Sequence, residues 1–285
     1  MSKKVIKIGL LGLGFVGKGV IELLNKNKAL LENRTQYQFE ISKIAVRSPE
    51  KHKDTPIGNA TLTTSVDDII NDPEIKVIIE LIGGEEPAKT HILNALKAKK
   101  HVITANKEVV SKHKTEFFKT AQDNDVDLYF EAAVGGSIPL IRALKVGYAA
   151  NDMEEVLGIL NGTTNYILTK MTQDKKEFTD ILSEAQRLGL AEADPTMDIS
   201  GADAAHKLVI LAATAFKKDI QIDNVYHEGI DKIKLKDIEY AEELGYIIKL
   251  IAKGTKTKDK YSFSVFPLLL EKSHTLAAVN DEVNA

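Results

Sequence analysis

Two stretches of this 285-residue chain carry side chains suited to chemistry. The acidic one, "GLAEADPTMDISGADAAHK" at 189–207, holds Glu192, Asp194, Asp198 and Asp203 within twelve positions and closes on Lys207. Asp203 and Lys207 stand one helical turn apart, on one face. A lysine at the buried end of an acidic, water-poor cleft can be tuned into a proton carrier. The plainer reading is an acidic surface loop, a capped helix and an ordinary salt bridge. Pro195 and Gly201 predict a loop over 189–200, and "ADAAHKLVILAATAF" predicts the helix that follows it. Ser200, with Asp203 three positions on, reads as a capping box.

The other stretch is "GLGFVG", residues 12–17, after an apolar run and at the mouth of a helix. Gly12 permits the tight turn, Gly14 lets the backbone approach a pyrophosphate, and Gly17 allows close helix packing. Gly12, Gly14, Phe15, Val16 and Gly17 are therefore candidate cofactor contacts. The plainer reading is a turn that is merely rich in glycine. NAD sites usually place an acid at the end of the second strand. Here Glu40 sits at that strand's start, and its end carries Arg47 and Ser48, followed by Lys51 and Lys53. A guanidinium suits a 2′-phosphate, so NADP is the expected cofactor and NAD the alternative. Arg47 as an exposed residue without a ligand is the competing reading.

These residues need elements to position them. The first 130 residues alternate strand-like and helix-like segments: "VIKIGLL", a helix from about Val16 to Leu31, "FEISKIAV", a short helix after Ser65, "KVIIELI", a helix after Pro87, "HVITA", a helix through "KTEFFKTAQDN", and "DLYFEAA". Continuous apolar runs between amphipathic helices predict an α/β fold, a Rossmann-type doubly wound parallel sheet. Such sheets bind ligands beyond the carboxyl ends of their strands. Those ends hold "GLGFVG", "VRS", "IGG" with Gly83, "TANK" with Lys107, and "AAVGGS". From about Ile138 the pattern changes to a helix, a strand-like "EVLGIL", the helix opened by "NGTTNYILTKM", the acidic loop and its helix. The apolar strand beginning at "KYSFSVF" has Pro267 near its end. The expected division is a dinucleotide-binding domain over 1–130 and an α+β substrate-binding, catalytic and dimerisation domain over 131–285.

Composition narrows the function classes. Net charge is -3 and the lysines are scattered, which argues against nucleic acid or an anionic membrane as partner and favours a small-molecule substrate. No apolar run approaches the roughly 18 residues of a membrane span, and the glycine-broken start reads as a strand and turn rather than a secretion signal. The absence of cysteine fits a cytoplasmic protein and excludes disulfides, zinc thiolate sites and a thiol nucleophile. Dehydrogenases that form acyl phosphates through a cysteine are thereby excluded.

With a dinucleotide site in place, "AQRLGLAEADPTMDISGADAAHK" at 185–207 strongly resembles the homoserine dehydrogenase signature. Supporting matches are "GLGFVG", "ELIGG" at 80–84, "TANK" at 104–107, "EAAVGGSIP" at 131–139 and "GILNGTTNYIL" at 158–168. The resemblance implies NAD(P)-dependent interconversion of L-homoserine and L-aspartate 4-semialdehyde, on the route to threonine and methionine. It makes Lys207 the proton donor and acceptor with Asp203 beside it, and gives the substrate's polar groups to Glu192 and Asp198. It places Lys107 between cofactor and substrate, backbone contacts at Gly162 and Thr163, and a sodium ion on the carbonyls of Glu131, Val134, Gly136 and Ile138. It also implies a homodimer through the second-domain sheet. Family members continue with a strand and a glycine-rich return to the nucleotide domain, and "VNDEVNA" stops short of it. The expectation is a chain that folds but binds NADP(H) weakly. The rival readings are another Rossmann sugar or polyol oxidoreductase, which would use Lys107 but leave the acidic loop unassigned, and a cofactor-binding protein without turnover.

Overall fold

The computed structural model describes residues 3–285, and the chain forms two compact units divided after Ala133. The boundary lies three residues beyond the expected one because the 3-10 turn Glu131–Ala133 still belongs to the first unit.

The first unit is a six-stranded parallel sheet in the order β3-β2-β1-β4-β5-β6. Its strands are β1 (Lys4–Leu11), β2 (Tyr37–Ala45), β3 (Thr61–Thr63), β4 (Ile75–Glu80), β5 (His101–Thr104) and β6 (Leu128–Tyr129). The apolar runs that end β1 and β4 are buried because helices cover them. The connecting helices are α1 (Phe15–Lys26), α2 (Lys28–Thr35), α3 (Asp67–Ile70), α4 (Ala88–Lys97) and α5 (Lys107–Asp123). Ile8, Leu10, Leu13, Ile21, Ile44 and Ile79 form a core between α1 and the sheet. The single helix expected over 16–31 is instead two, broken at Asn27, whose backbone leaves the helical region at φ -102° and ψ 14°. The three-residue edge strand β3 and the shortness of β6 are also departures from the expected pattern. Because β2 and β4 flank β1, the chain leaves β1 on one side and returns on the other. A crevice beyond the carboxyl ends of β1 and β4 results.

The second unit is α+β. Its sheet runs β7-β9-β10-β8, with β7 (Glu155–Gly158), β8 (Tyr226–His227), β9 (Tyr246–Thr257) and β10 (Lys260–Glu271). β9 and β10 are an antiparallel hairpin paired along their full lengths. Pro267 lies inside β10, beyond the two residues that β8 pairs, so one edge of the strand is open there and tolerates a missing N–H. The helices are α6 (Leu140–Arg142, continued by a π turn over Ala143–Gly147), α7 (Gly162–Asp174), α8 (Phe178–Arg187), α9 (Thr196–Ile199), α10 (Ala202–Phe216) and α11 (Leu235–Glu243). α10 is mostly buried, from Asp203 to Phe216, and contacts β9 and β10. The acidic loop contains α9, a single turn that starts after Pro195. Among the described residues no helix is long and apolar enough to cross a membrane.

Candidate active site

In the first unit the glycine turn behaves as its spacing requires. Gly12 has φ +98° and donates its N–H to Ala45 O at 3.0 Å; a Cβ there would meet Leu81 O at 2.7 Å. A Cβ on Gly17 would meet Gly12 O at 2.5 Å, so the third glycine seats α1 on the turn. At Gly14, by contrast, a Cβ would meet nothing within 4 Å, and this residue precedes the first turn of α1. The open space faces the positive end of a twelve-residue helix.

Around this turn lies a cleft of about 860 Å³ lined by Gly12, Gly14, Arg47, Lys51, His52 and Gly83 among others. Its lining of bare glycine backbone and the cationic Arg47 and Lys51, with Glu86 as the one carboxylate, fits the adenosine and phosphates of a dinucleotide. Phe15 and Val16 require a correction. Their side chains line a separate apolar groove with Ile8, Leu23 and Ile79, and Phe15 is 94% exposed. As they open α1, only their main-chain N–H groups are suited to a phosphate.

Two buried polar groups shape the neighbouring edge. Glu80, fully buried at the end of β4, accepts from Ile82 N at 2.7 Å and from Thr104 Oγ1 at 2.6 Å. It thereby joins the Gly83 loop to the end of β5. Asn106 caps α5 by accepting from Val109 N and donates to Gly84 O at 2.6 Å, which fixes Lys107 as the first residue of that helix. Glu85 is gripped by Lys112 and His113, each at 2.7 Å, and these bonds hold its carboxyl down to about 2. Motif and spacing single out Gly83 and Lys107 but not Glu80 and Asn106, the two buried residues that position them.

In the second unit the acidic loop and α7 meet. Lys207 Nζ lies 2.7 Å from Asp203 Oδ2 and donates to Leu160 O at 2.8 Å. Asp203 is 3% exposed in its side chain and Lys207 19%, so this is an ion pair with one end toward solvent. Asn161 Nδ2 donates to Asp203 Oδ2 at 2.8 Å and to Asp198 Oδ1 at 2.6 Å. Its Oδ1 meanwhile caps α7 by accepting from Thr164 N at 2.8 Å. One buried amide therefore ties two carboxylates to the head of a helix. Thr163 Oγ1 donates to Leu190 O at 2.8 Å, which anchors the start of the loop bearing the exposed Glu192. Gly162 and Thr163 open α7, where main-chain N–H groups have no intrahelical partner.

The expected capping box at Ser200 is absent. Gly201, at φ +81°, is the residue before α10, and Asp203 turns inward to Asn161 and Lys207 instead of back along its own helix. A charge-assisted pair with buried partners outcompetes a local cap. Asn161 is a further candidate site residue that the sequence did not disclose; its place before the helix-opening "GTT" was the available signal.

Of the candidate cation ligands, Glu131 lies in the 3-10 turn that ends the first unit. Val134, Gly136 and Ile138 lie in the next segment, where Gly135 and Gly136 are both left-handed at φ +76° and +58°. Among the described residues no group of three or more His, Asp or Glu side chains could hold a metal. A cation on this segment would rest on main-chain oxygens.

A parallel sheet in this strand order, with a glycine turn at β1 and cations at the end of β2, defines a dinucleotide-binding α/β protein carrying a second unit with a lysine–carboxylate centre. Residues 12–131 match the model of the homoserine dehydrogenase NAD binding domain, and residues 139–285 match that of homoserine dehydrogenase itself. The curated homoserine dehydrogenase of Bacillus subtilis is 42% identical over 99% of the chain and 65% of its own length. The crystal structure of a homoserine dehydrogenase from Thiobacillus denitrificans superposes with a TM-score of 0.95 at 44% identity, covering 99% of this chain and 65% of that one. That of the Staphylococcus aureus homoserine dehydrogenase at pH 6.0 gives 0.85 at 41%, covering 99% and 67%. The chain belongs to the homoserine dehydrogenase family. It spans about 65% of the length of the curated relatives it matches. Matches over both units favour this family over the sugar and polyol oxidoreductases.

Proposed function

We propose that the chain carries out the NADP(H)-dependent interconversion of L-homoserine and L-aspartate 4-semialdehyde. The observation that carries this reading is the Lys207 ammonium, held by Asp203 and Leu160 O, with Asn161 joining Asp203 to Asp198. Two of the three Nζ protons are thereby committed, and the third is free to meet a substrate oxygen. In the reduction direction Lys207 gives that oxygen its proton as the aldehyde becomes an alcohol, and in oxidation it takes the proton back. The ion pair with Asp203 keeps the ammonium oriented and stabilises it while the oxygen is anionic.

A homoserine-like substrate carries an ammonium and a carboxylate. Glu192 and Asp198 suit the first, and the N-terminal turn of α7 at Gly162 and Thr163 suits the second. Lys107 is assigned a second cationic contact to substrate and cofactor. The nicotinamide, when bound, supplies the hydride chemistry. Gly12 and Gly14, with the main-chain N–H groups of Phe15 and Val16, would hold the dinucleotide's phosphates, Gly17 seats the helix against that turn, and Gly83 completes the edge. Arg47, with Lys51 and His52 on the same cleft, favours a 2′-phosphate and therefore NADP over NAD.

The reading includes a sodium ion on the carbonyls of Glu131, Val134, Gly136 and Ile138, which is consistent with the carbonyl-only chemistry of that segment. It also includes a homodimer through the second-unit sheet, whose exposed Tyr226 and Leu269 offer apolar surface, and a cytoplasmic place in threonine and methionine synthesis. The deciding assay follows reduced-nicotinamide absorbance as the full chain oxidises homoserine with NADP or NAD. Turnover with a higher kcat/KM for NADP is the expected result. No turnover with either cofactor overturns the reading.

A further inference from the structure

Lys249 lies in the middle of β9, paired with Leu268 of β10, and is 1% exposed. Its Nζ meets four oxygens: Val279 O at 2.5 Å, Asn165 Oδ1 at 2.9 Å, Thr169 Oγ1 at 3.2 Å and Asn280 Oδ1 at 3.4 Å. All four are uncharged. Two belong to α7 and two to the segment that follows β10. Burying an ammonium costs several kcal/mol, and a well-packed apolar side chain of similar volume is often the more stable choice. Stability alone therefore gives a poor account of this lysine, whereas the convergence of two separate segments on it gives a better one.

The bound segment reaches the candidate site. Asn165 Nδ2 donates to Val279 O at 3.2 Å and to Val283 O at 3.3 Å. The Glu282 carbonyl lies so close to Gly162 that an added Cβ would collide with it. Ala285 exchanges both main-chain hydrogen bonds with Ile159, at 2.8 and 3.1 Å. The stretch 282–285 thus backs the turn 159–162. The same turn presents Leu160 O to Lys207 and Asn161 to the two aspartates.

We propose that Lys249 is a positioning residue for the reaction: its ammonium clasps the 279–285 segment to α7 and so holds the Ile159–Gly162 turn where Lys207 and Asp203 need it. This rests on the function proposed above, but its structural half can be read without turnover. It assigns to a strand-centre lysine, remote from substrate, control over the orientation of the proton carrier.

The test uses the full chain and three variants. Lys249→Met removes the charge at similar volume. Asn280→Lys and Asn280→Asp change the charge beside the ammonium at an exposed position. Amide hydrogen exchange is followed over 158–164 and 279–285, with homoserine kinetics and NADPH titration alongside. In Lys249→Met both stretches should exchange at least about tenfold faster. Its kcat should fall at least about tenfold, while NADPH affinity stays within about twofold. Asn280→Lys should shift exchange the same way and Asn280→Asp the opposite way. Should Lys249→Met not fold, the Asn280 pair decides. Faster exchange at 279–285 with no change at 158–164, or an unaltered kcat in a folded Lys249→Met, overturns the proposal. A wild-type chain without homoserine turnover would count against the function, and the exchange results would still judge the clasp.

Discussion

Replacing Asn161 with alanine strikes the point where the acidic loop, α10 and α7 are joined. The residue is 4% exposed, and its amide makes four hydrogen bonds: Nδ2 donates to each aspartate, and Oδ1 accepts from the N–H and the Oγ1 of Thr164. Hydrogen bonds to charged groups are worth about 1.5–3 kcal/mol each, and a lost N-cap costs about 1 kcal/mol. The contacts share one amide and are not additive, so about 4 kcal/mol is a reasonable total. For a domain of this size that corresponds to a fall in Tm of roughly 10 °C. The loss should be confined to the second unit, because every partner lies there. Without the amide, Asp198 and Asp203 repel each other, and the Lys207 pair loses its support. Scanning calorimetry should show one transition lowered and the other unmoved. Steady-state kinetics should show KM for homoserine raised about tenfold, a loss of about 1.4 kcal/mol in binding, with NADPH affinity unchanged. Asn161→Asp keeps the cap but sets a third carboxylate among the other two, so its activity should recover as pH falls. A second-unit transition lowered by less than about 3 °C in Asn161→Ala, near the effect of 1 kcal/mol, would refute the reasoning.

Lys207→Ala should lower turnover at least about a hundredfold, the usual size of a lost acid/base group, and leave NADPH binding intact; a loss under tenfold assigns the proton step elsewhere. Arg47→Ala should weaken NADPH far more than NADH in fluorescence titrations, and equal weakening removes the argument for NADP. Burial pushes the Lys249 ammonium down to about 8 from 10.5, against a raising influence from Asp281, which itself lies 3.9 Å from Lys170. Between those two values the unfolded chain holds a proton that the folded chain has released. This group's contribution therefore disfavours folding below about pH 8 and is relieved as pH rises toward 10.5, by up to about 3 kcal/mol. Urea unfolding of wild type and Lys249→Met at pH 7.5 and 10 should show that the variant lacks this rise, and parallel pH dependences would sink the assignment.

What the sequence disclosed, and what it withheld, divides along the range of the interactions. The strands ending in Leu11 and Glu80 were legible because the buried half of a strand covered on both faces reads as a near-continuous apolar run, a local property. The Gly12–Gly17 turn was legible for a similar reason, since the atoms that forbid a side chain at Gly17 belong to Gly12, five residues away. Asp203 was misread as a cap because its real partners include Asn161, forty-two positions earlier, and no local pattern announces such a bond. β9, α8 and α11 went unassigned. In β9 the reason is Lys249: a lysine among isoleucines looks like a break in a core strand, until oxygens from α7 and from 279–280 are found around it. Buried polar residues are where the misreadings cluster, and they are also where the candidate site is built. Asn161, Glu80, Asn106 and Lys249 hold loops rather than react. Each has partners that only the folded chain brings within reach, so residues of this kind are invisible to spacing rules, while the groups they aim, Lys107, Lys207 and Gly83, are the ones that spacing and motif pick out.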